Sequence, residues 1–118
     1  MKLRRGDVVL CQVPMSSTKF SQSKIRPAII ASKDSNNVRL NDVIIVPCTS
    51  NLDYSYEPTQ YLLAGKELIE SGIRVPSAIR CEAVMVMHKS MVLKKIGKLS
   101  QRTMQKVDSG LKDALGLK

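Results

Sequence analysis

Apolar residues in this chain come in short β-branched runs, each closed by proline, glycine or a polar cluster, and only the last stretch shifts to a helical period. Asp7 to Val13 reads as a strand, followed by Pro14 and a polar, serine-rich segment from Met15 to Lys24 that the composition predicts to be a long mobile loop. Pro27 fixes its own φ and biases Arg26 away from helix, after which Ala28 to Ala31 continue as a buried strand. Asp34 to Asn37 supplies a turn. Val43 to Val46 is too short for a helix and is stopped by Pro47, as expected of a central strand.

Further along, Thr59 to Leu63 reads as a strand and Gly65 to Gly72 as a short helical turn with Gly72 suited to its C-terminal cap. Two strands follow or merge across Ser77 to His88, where a two-residue period would put Arg80 and Glu82 on one face and Cys81 on the other. A last short strand is expected from Met91 to Ile96. Ser100 is a good N-cap, and Met104, Val107, Leu111, Ala114 and Leu115 recur at helical spacing. Gly110 inside that helix costs about 1 kcal/mol relative to Ala, so packing must hold it. Many short strands, one terminal helix and no internal repeat predict a mainly β fold, a small and strongly bent antiparallel barrel with a C-terminal α-helix.

Composition narrows the chemistry. A length of 118 residues suits one domain, residues 1–118, able to bury a core without staples. Nineteen Lys and Arg against ten Asp and Glu give a formal charge of +9, which favours a polyanionic or strongly acidic partner. From Lys89 to Lys106 the chain carries cations and no acid, a solvated face by default and a phosphate-facing stripe otherwise. With Phe20, Tyr54, Tyr56 and Tyr61 as the only aromatics, charge rather than base stacking must carry the affinity. Cys11, Cys48 and Cys81 are odd in number and far apart, which suggests neither a disulfide framework nor a zinc site but small buried hydrophobes. No run approaches the length of a membrane span and the first residues lack a signal-peptide core, so no membrane contact and a cytoplasmic location are expected.

Three clusters at strand edges hold the candidate chemistry: Arg26-Pro27, Pro47-Cys48-Thr49-Ser50 and Arg80-Cys81-Glu82. Singly, each has an ordinary reading: a surface charge beside a rigid residue, a hydroxyl-stabilised turn, and an ion pair worth less than about 1 kcal/mol. Jointly they gather two guanidiniums, two hydroxyls and one carboxylate, group types that bind and cleave a phosphodiester without a metal. That set points to RNA.

The same residues resemble the MazF/PemK family of toxins from bacterial toxin-antitoxin systems. The likeness runs from Arg5-Gly6-Asp7-Val8 through Gln22, Arg26-Pro27-Ala28 and Val46-Pro47-Cys48-Thr49-Ser50, then Ser77-Ala78-Ile79-Arg80, to Lys95-Ile96-Gly97-Lys98-Leu99-Ser100. Order and spacing carry it more than any one motif. The resemblance implies an SH3-like barrel of the CcdB/MazF type, a symmetric homodimer, cleavage of single-stranded RNA at short sequences, and inhibition by a small acidic antitoxin, with operator DNA contacted only through the antitoxin complex. It implies no cofactor. By position, the family's arginine beside proline is similar to Arg26, its threonine to Thr49, and its second arginine and acid to Arg80 and Glu82. Glu82 stands where some members have Asp, and Phe20 falls where some have a loop histidine; His88, the only histidine, reads as structural.

Metal-free RNA cleavage uses the ribose 2′-hydroxyl as nucleophile, so the protein must supply a proton acceptor, a donor to the leaving 5′-oxygen and positive charge for the phosphorane. Arg26 and Arg80 suit the charge, Glu82 the acceptor, and Thr49 and Ser50 the phosphoryl oxygens, with Arg26 also a possible acid. Phe20, Gln22 and Lys24 are candidate substrate contacts from the flanking loop. Three rival readings stand beside this one. A non-enzymatic binder could use the same barrel, a cysteine hydrolase lacks a credible partner base for Cys48 or Cys81, and Gly65-Lys66 lacks the rest of a phosphate-binding loop.

Overall fold

The computed structural model describes residues 1–118 and contains seven strands and three α-helices. The strands are β1 (Asp7–Pro14), β2 (Ser23–Ile30), β3 (Asp42–Thr49), β4 (Gln60–Leu63), β5 (Ser77–Arg80), β6 (Met85–His88) and β7 (Val92–Lys98). The helices are α1 (Asp34–Arg39), α2 (Lys66–Ser71) and α3 (Gln101–Ala114). All pairings are antiparallel in the order β4-β5-β3-β2-β1-β7, with β6 on the N-terminal part of β3. The mainly β class with a C-terminal helix matches expectation. The sheet bends strongly without closing fully, because its outermost strands, β4 and β7, do not pair with each other.

Both sheet faces are buried, which is why the strands mix alternation with continuous apolar runs. Val8, Ile29, Val46 and Ile79 pack beneath α3 against Met104 and Val107. Val9, Cys11, Ala28, Ile30 and Ile45 face the other way, into a second cluster with Val43, Met87 and Val92. Register shifts in the β1–β7 pairing bend the sheet between these clusters.

Two prolines decide where the sheet comes apart. Ala31 N donates to Ile44 O at 2.9 Å, and Ile29 pairs with Val46. In an antiparallel ladder backbone groups alternate sides, so odd residues of β2 turn theirs to β3 and even residues of β3 turn theirs to β2. Pro27 would be the next donor toward β3, has no N–H, and the β2–β3 pairing ends beside it at Ala28 and Pro47. Pro47 faces the other neighbour. There β5 and β6 form one interrupted track along β3, and the interruption, a 3-10 turn at Cys81–Ala83, falls opposite Pro47. Contrary to the expectation from sequence, Pro47 therefore does not end its strand, because its missing donor coincides with a gap in the partner.

Three local expectations change. The segment from Met15 to Lys24 is shorter and better tied than a mobile loop. The β1–β2 pairing reaches Pro14 and Ser23, Met15 N donates to Gln22 O at 2.8 Å, and a 3-10 turn fills Ser16–Thr18. The turn at Asp34 opens α1, which is anchored by buried Asn37, whose Nδ2 donates to Ser32 O at 2.9 Å. The strand alternation expected through Arg80, Cys81 and Glu82 stops at Arg80.

At the C-terminus, Ser100 caps α3 by accepting from Thr103 N at 3.1 Å. Thr103 Oγ1 and Tyr61 Oη both donate to Glu67, at 2.9 and 2.7 Å to Oε2, tying β4, α2 and α3 together. Burial first, and then the bond to Glu67, pushes the Tyr61 phenol up to about 12. The end of α2 crosses β7 in backbone contact: a Cβ on Gly72 would collide with the Ile96 carbonyl, and one on Gly97 with the Ser71 carbonyl. Arg5 pairs with Asp108 of α3, and buried Asp7 accepts from Lys95 Nζ at 3.0 Å and from Arg4 N at 2.8 Å.

Candidate functional site

The register that builds the sheet also gathers the site. Arg26 lies two residues before Ala28, Thr49 two after Pro47, and Arg80 falls opposite Pro47 when the Cys48–Ile79 pairing is extended by one. Paired residues share a face and alternate residues return to it, so Arg26, Thr49 and Arg80 all emerge on one side of β2, β3 and β5. Where the ladders stop at Pro27 and Pro47, that side opens into a cleft of about 610 Å³. Arg26, Arg80 and Glu82 line it together with Pro47, Val84 and Phe20.

Thr49 stands just beyond, in an adjoining cavity of about 300 Å³. Arg80 and Glu82 border both spaces and form the ridge between them. Thr49 Oγ1 accepts from Asn51 N at 3.1 Å, which leaves its O–H free to donate outward.

Glu82 Oε2 accepts from Gln60 Nε2 at 2.7 Å and from Arg80 Nε at 3.4 Å. Burial pulls the carboxyl upward, but Gln60, its own backbone amide and Arg80 together outweigh that and hold it below its ordinary value. It is therefore anionic at neutral pH and a weak base. The pair is substantially exposed, so its worth lies less in stability than in aiming the guanidinium. Arg80 and Glu82 meet, as expected, though through a 3-10 turn instead of strand alternation.

The remaining sequence candidates divide. Phe20 lines the cleft, 64% exposed, with Lys19 and Phe20 both at positive φ, 55° and 64°, to make the loop turn toward it. Gln22, Lys24 and Ser50 are exposed and line neither cavity. The cationic run from Lys89 to Lys106 lies on β7, α3 and the turns before them, and none of it lines the cleft. Sequence reasoning missed Gln60, the anchor of Glu82, together with Asn51 and Tyr54 in the smaller cavity. Gln60 becomes visible only once β4 is known to pair with β5 and to set Gln60 opposite Arg80.

The thiol alternatives weaken. Cys11, Cys48 and Cys81 are all buried and free. Burial pushes Cys11 up to about 11, Cys48 further, and Cys81, also facing Glu82 and Asp108, up to about 12. A thiolate nucleophile is not available at neutral pH. His88 is exposed and accepts from Ser90 N at 3.1 Å, a capping contact. No helix is long and apolar enough to cross a membrane.

Comparison with known proteins gives a consistent result. The family model described as "PemK-like, MazF-like toxin of type II toxin-antitoxin system" matches residues 4–115. Among solved structures, an endoribonuclease from mycobacterial species superposes with a TM-score of 0.78 at 20% identity, over 99% of this chain and 94% of the other. An endoribonuclease in complex with its cognate antitoxin, also mycobacterial, gives 0.78 at 21% identity over 98% and 97%. MazF from Deinococcus radiodurans gives 0.78 at 17% over 99% of each chain. These likenesses establish the shared fold.

Proposed function

Because the chain belongs to the PemK-like, MazF-like toxins of type II toxin-antitoxin systems, we propose that it is the toxin of such a system and cleaves single-stranded RNA, without a metal, at short sequences. The observation that carries this reading is the cleft itself. Arg26 from β2 and the Arg80–Glu82 pair from the end of β5 line one anion-receptive opening, with the Thr49 hydroxyl at its edge.

In the proposed reaction the ribose 2′-oxygen attacks phosphorus as the bond to the 5′-oxygen breaks, giving a 2′,3′-cyclic phosphate and a 5′-hydroxyl. The 2′-hydroxyl proton passes to Glu82, and Arg26 is the candidate donor to the leaving 5′-oxygen. The guanidiniums of Arg26 and Arg80 stabilise the charge on the phosphorane, and Thr49 donates to a phosphoryl oxygen. The depressed basicity of Glu82 limits what proton abstraction can contribute. Positive charge therefore carries most of the rate. Phe20, which lines the cleft, is a loop contact for a base, while Gln22, Lys24 and Ser50 serve at the periphery.

The same reading makes residues 1–118 one toxin domain that works in the cytoplasm as an isologous homodimer. A small acidic antitoxin neutralises it by competing with RNA for the cationic surface, and operator DNA is met only through that complex. The net charge of +9 supports both polyanionic and acidic partners. A direct test incubates the purified protein and a chelator with a single-stranded RNA, and with the same oligomer carrying 2′-deoxyribose at the cut nucleotide. Cleavage of the first alone, ending in a cyclic phosphate, is expected. Cleavage of both, or of neither, would overturn the proposed reaction.

A further inference from the structure

Between the two arginine-bearing segments and the terminal helix stands Cys81, fully buried, with Arg80 and Glu82 on either side of it. Its backbone N donates to Thr59 O at 2.9 Å, one residue before Gln60, the residue that holds Glu82. Its Sγ points under α3, 3.6 Å from Val107 O. The space it occupies exists because residue 110 has no side chain. A Cβ on Gly110 would stand 2.7 Å from Cys81 Sγ and 3.3 Å from Cys81 Cβ. Gly110 sits in the middle of α3 with no turn or cap to explain it. The helix gives up a side chain there in order to seat the sulfur.

We propose that Gly110 is a positioning residue for the cleft: it seats Cys81 under α3, and that seat fixes the 3-10 turn from which Arg80 and Glu82 reach the substrate. Cys81 is the pin and α3 the block into which it is driven. A few tenths of an ångström at Cys81 pass directly to both neighbours, since each is bonded to it through the chain. The pin also fixes Gln60 through Thr59, so Glu82 is held from both directions. Gly110 itself lines neither the cleft nor the smaller cavity beside it.

The test is Gly110→Ala alone and with Cys81→Ala. The single variant is expected to lower kcat by on the order of tenfold to a hundredfold with KM nearly unchanged, the cost of a small misplacement in a preorganised site. In the same protein, carbon-detected titration of the Glu82 carboxyl moves up toward its ordinary value as Arg80 and Gln60 lose their aim. Adding Cys81→Ala removes the colliding sulfur and restores most of kcat and the low titration. Ser109→Ala, an exposed neighbour on α3, changes neither. Wild-type kcat and titration in Gly110→Ala would overturn the proposal, as would a loss that Cys81→Ala fails to relieve. Should Gly110→Ala alone not fold, the double variant decides: a folded protein with the native Glu82 titration supports the seat, and any other result sinks it. The kcat arm rests on the ribonuclease reading, but the titration arm does not, so a protein that never cleaves RNA would refute that reading and still report on the seat.

Discussion

The cleft and the seat of α3 lie on either side of Cys81 and are built on opposite principles. At the cleft, prolines remove backbone donors. Pro27 stops the β2–β3 ladder and Pro47 faces the break between β5 and β6, so the sheet parts and charged side chains project into the gap. Beneath the helices, glycines remove side chains. Gly72 and Gly97 let α2 touch β7 backbone to backbone, and Gly110 lets α3 settle on Cys81. One region forgoes hydrogen bonds to stay open, the other forgoes packing atoms to close. Function and stability should accordingly respond to different substitutions, except at Gly110, which reaches the cleft through Cys81.

The largest effect is expected in the cleft. Arg26→Ala should lower the cleavage rate by about two to three orders of magnitude, the usual loss when a charge-stabilising donor is removed, with an unchanged melting midpoint. Rate and melting measured on one preparation would break the comparison if they fell together. Next comes Gly97→Ala beneath α2, where the new Cβ meets the Ser71 carbonyl. Overpacking of this kind costs about 2–3 kcal/mol by denaturant unfolding, with normal cleavage per folded molecule.

Pro27→Ala sharpens the contrast. It restores a donor facing β3, so the ladder can lengthen toward Cys48 and narrow the cleft; activity should fall by about tenfold while stability holds or rises. The smallest effect is the pH dependence of Glu82. Its folded pKa lies below the ordinary value of 4.5, so its contribution to stability is present above that value and lost as pH falls through the lower folded pKa. Wild type and Glu82→Gln should therefore differ in melting midpoint at neutral pH and converge in acid. A constant offset down to the lowest pH would show that the carboxylate charge is not the cause.

Much of this was legible in the sequence where local rules suffice. Ser100 caps α3, Gly72 ends α2, and the apolar runs become strands, because capping, φ and periodicity act within a few residues. Arg26, Thr49, Arg80 and Glu82 were visible as chemistry at strand edges. The rest depends on pairing across long separations. That Pro47 lies within β3 follows only from where β5 and β6 break, and the role of Gln60 follows only from the β4–β5 register. α1 escaped notice because its sequence is polar and its anchor is the buried Ser32–Asn37 contact instead of an apolar stripe. Gly110 looked like a flaw in a helix until Cys81 was placed beneath it.

The central claim is that Arg26 and Arg80, brought to one face by two separate ladders, act together on one phosphate. Single-turnover cleavage of a saturating single-stranded RNA by wild type, Arg26→Ala, Arg80→Ala and the double variant tests it most directly. Each single variant should lose orders of magnitude, and the double should lose far less than the product of the two, as groups acting in one transition state do. Wild-type rates in both single variants, or losses that simply multiply, would contradict it.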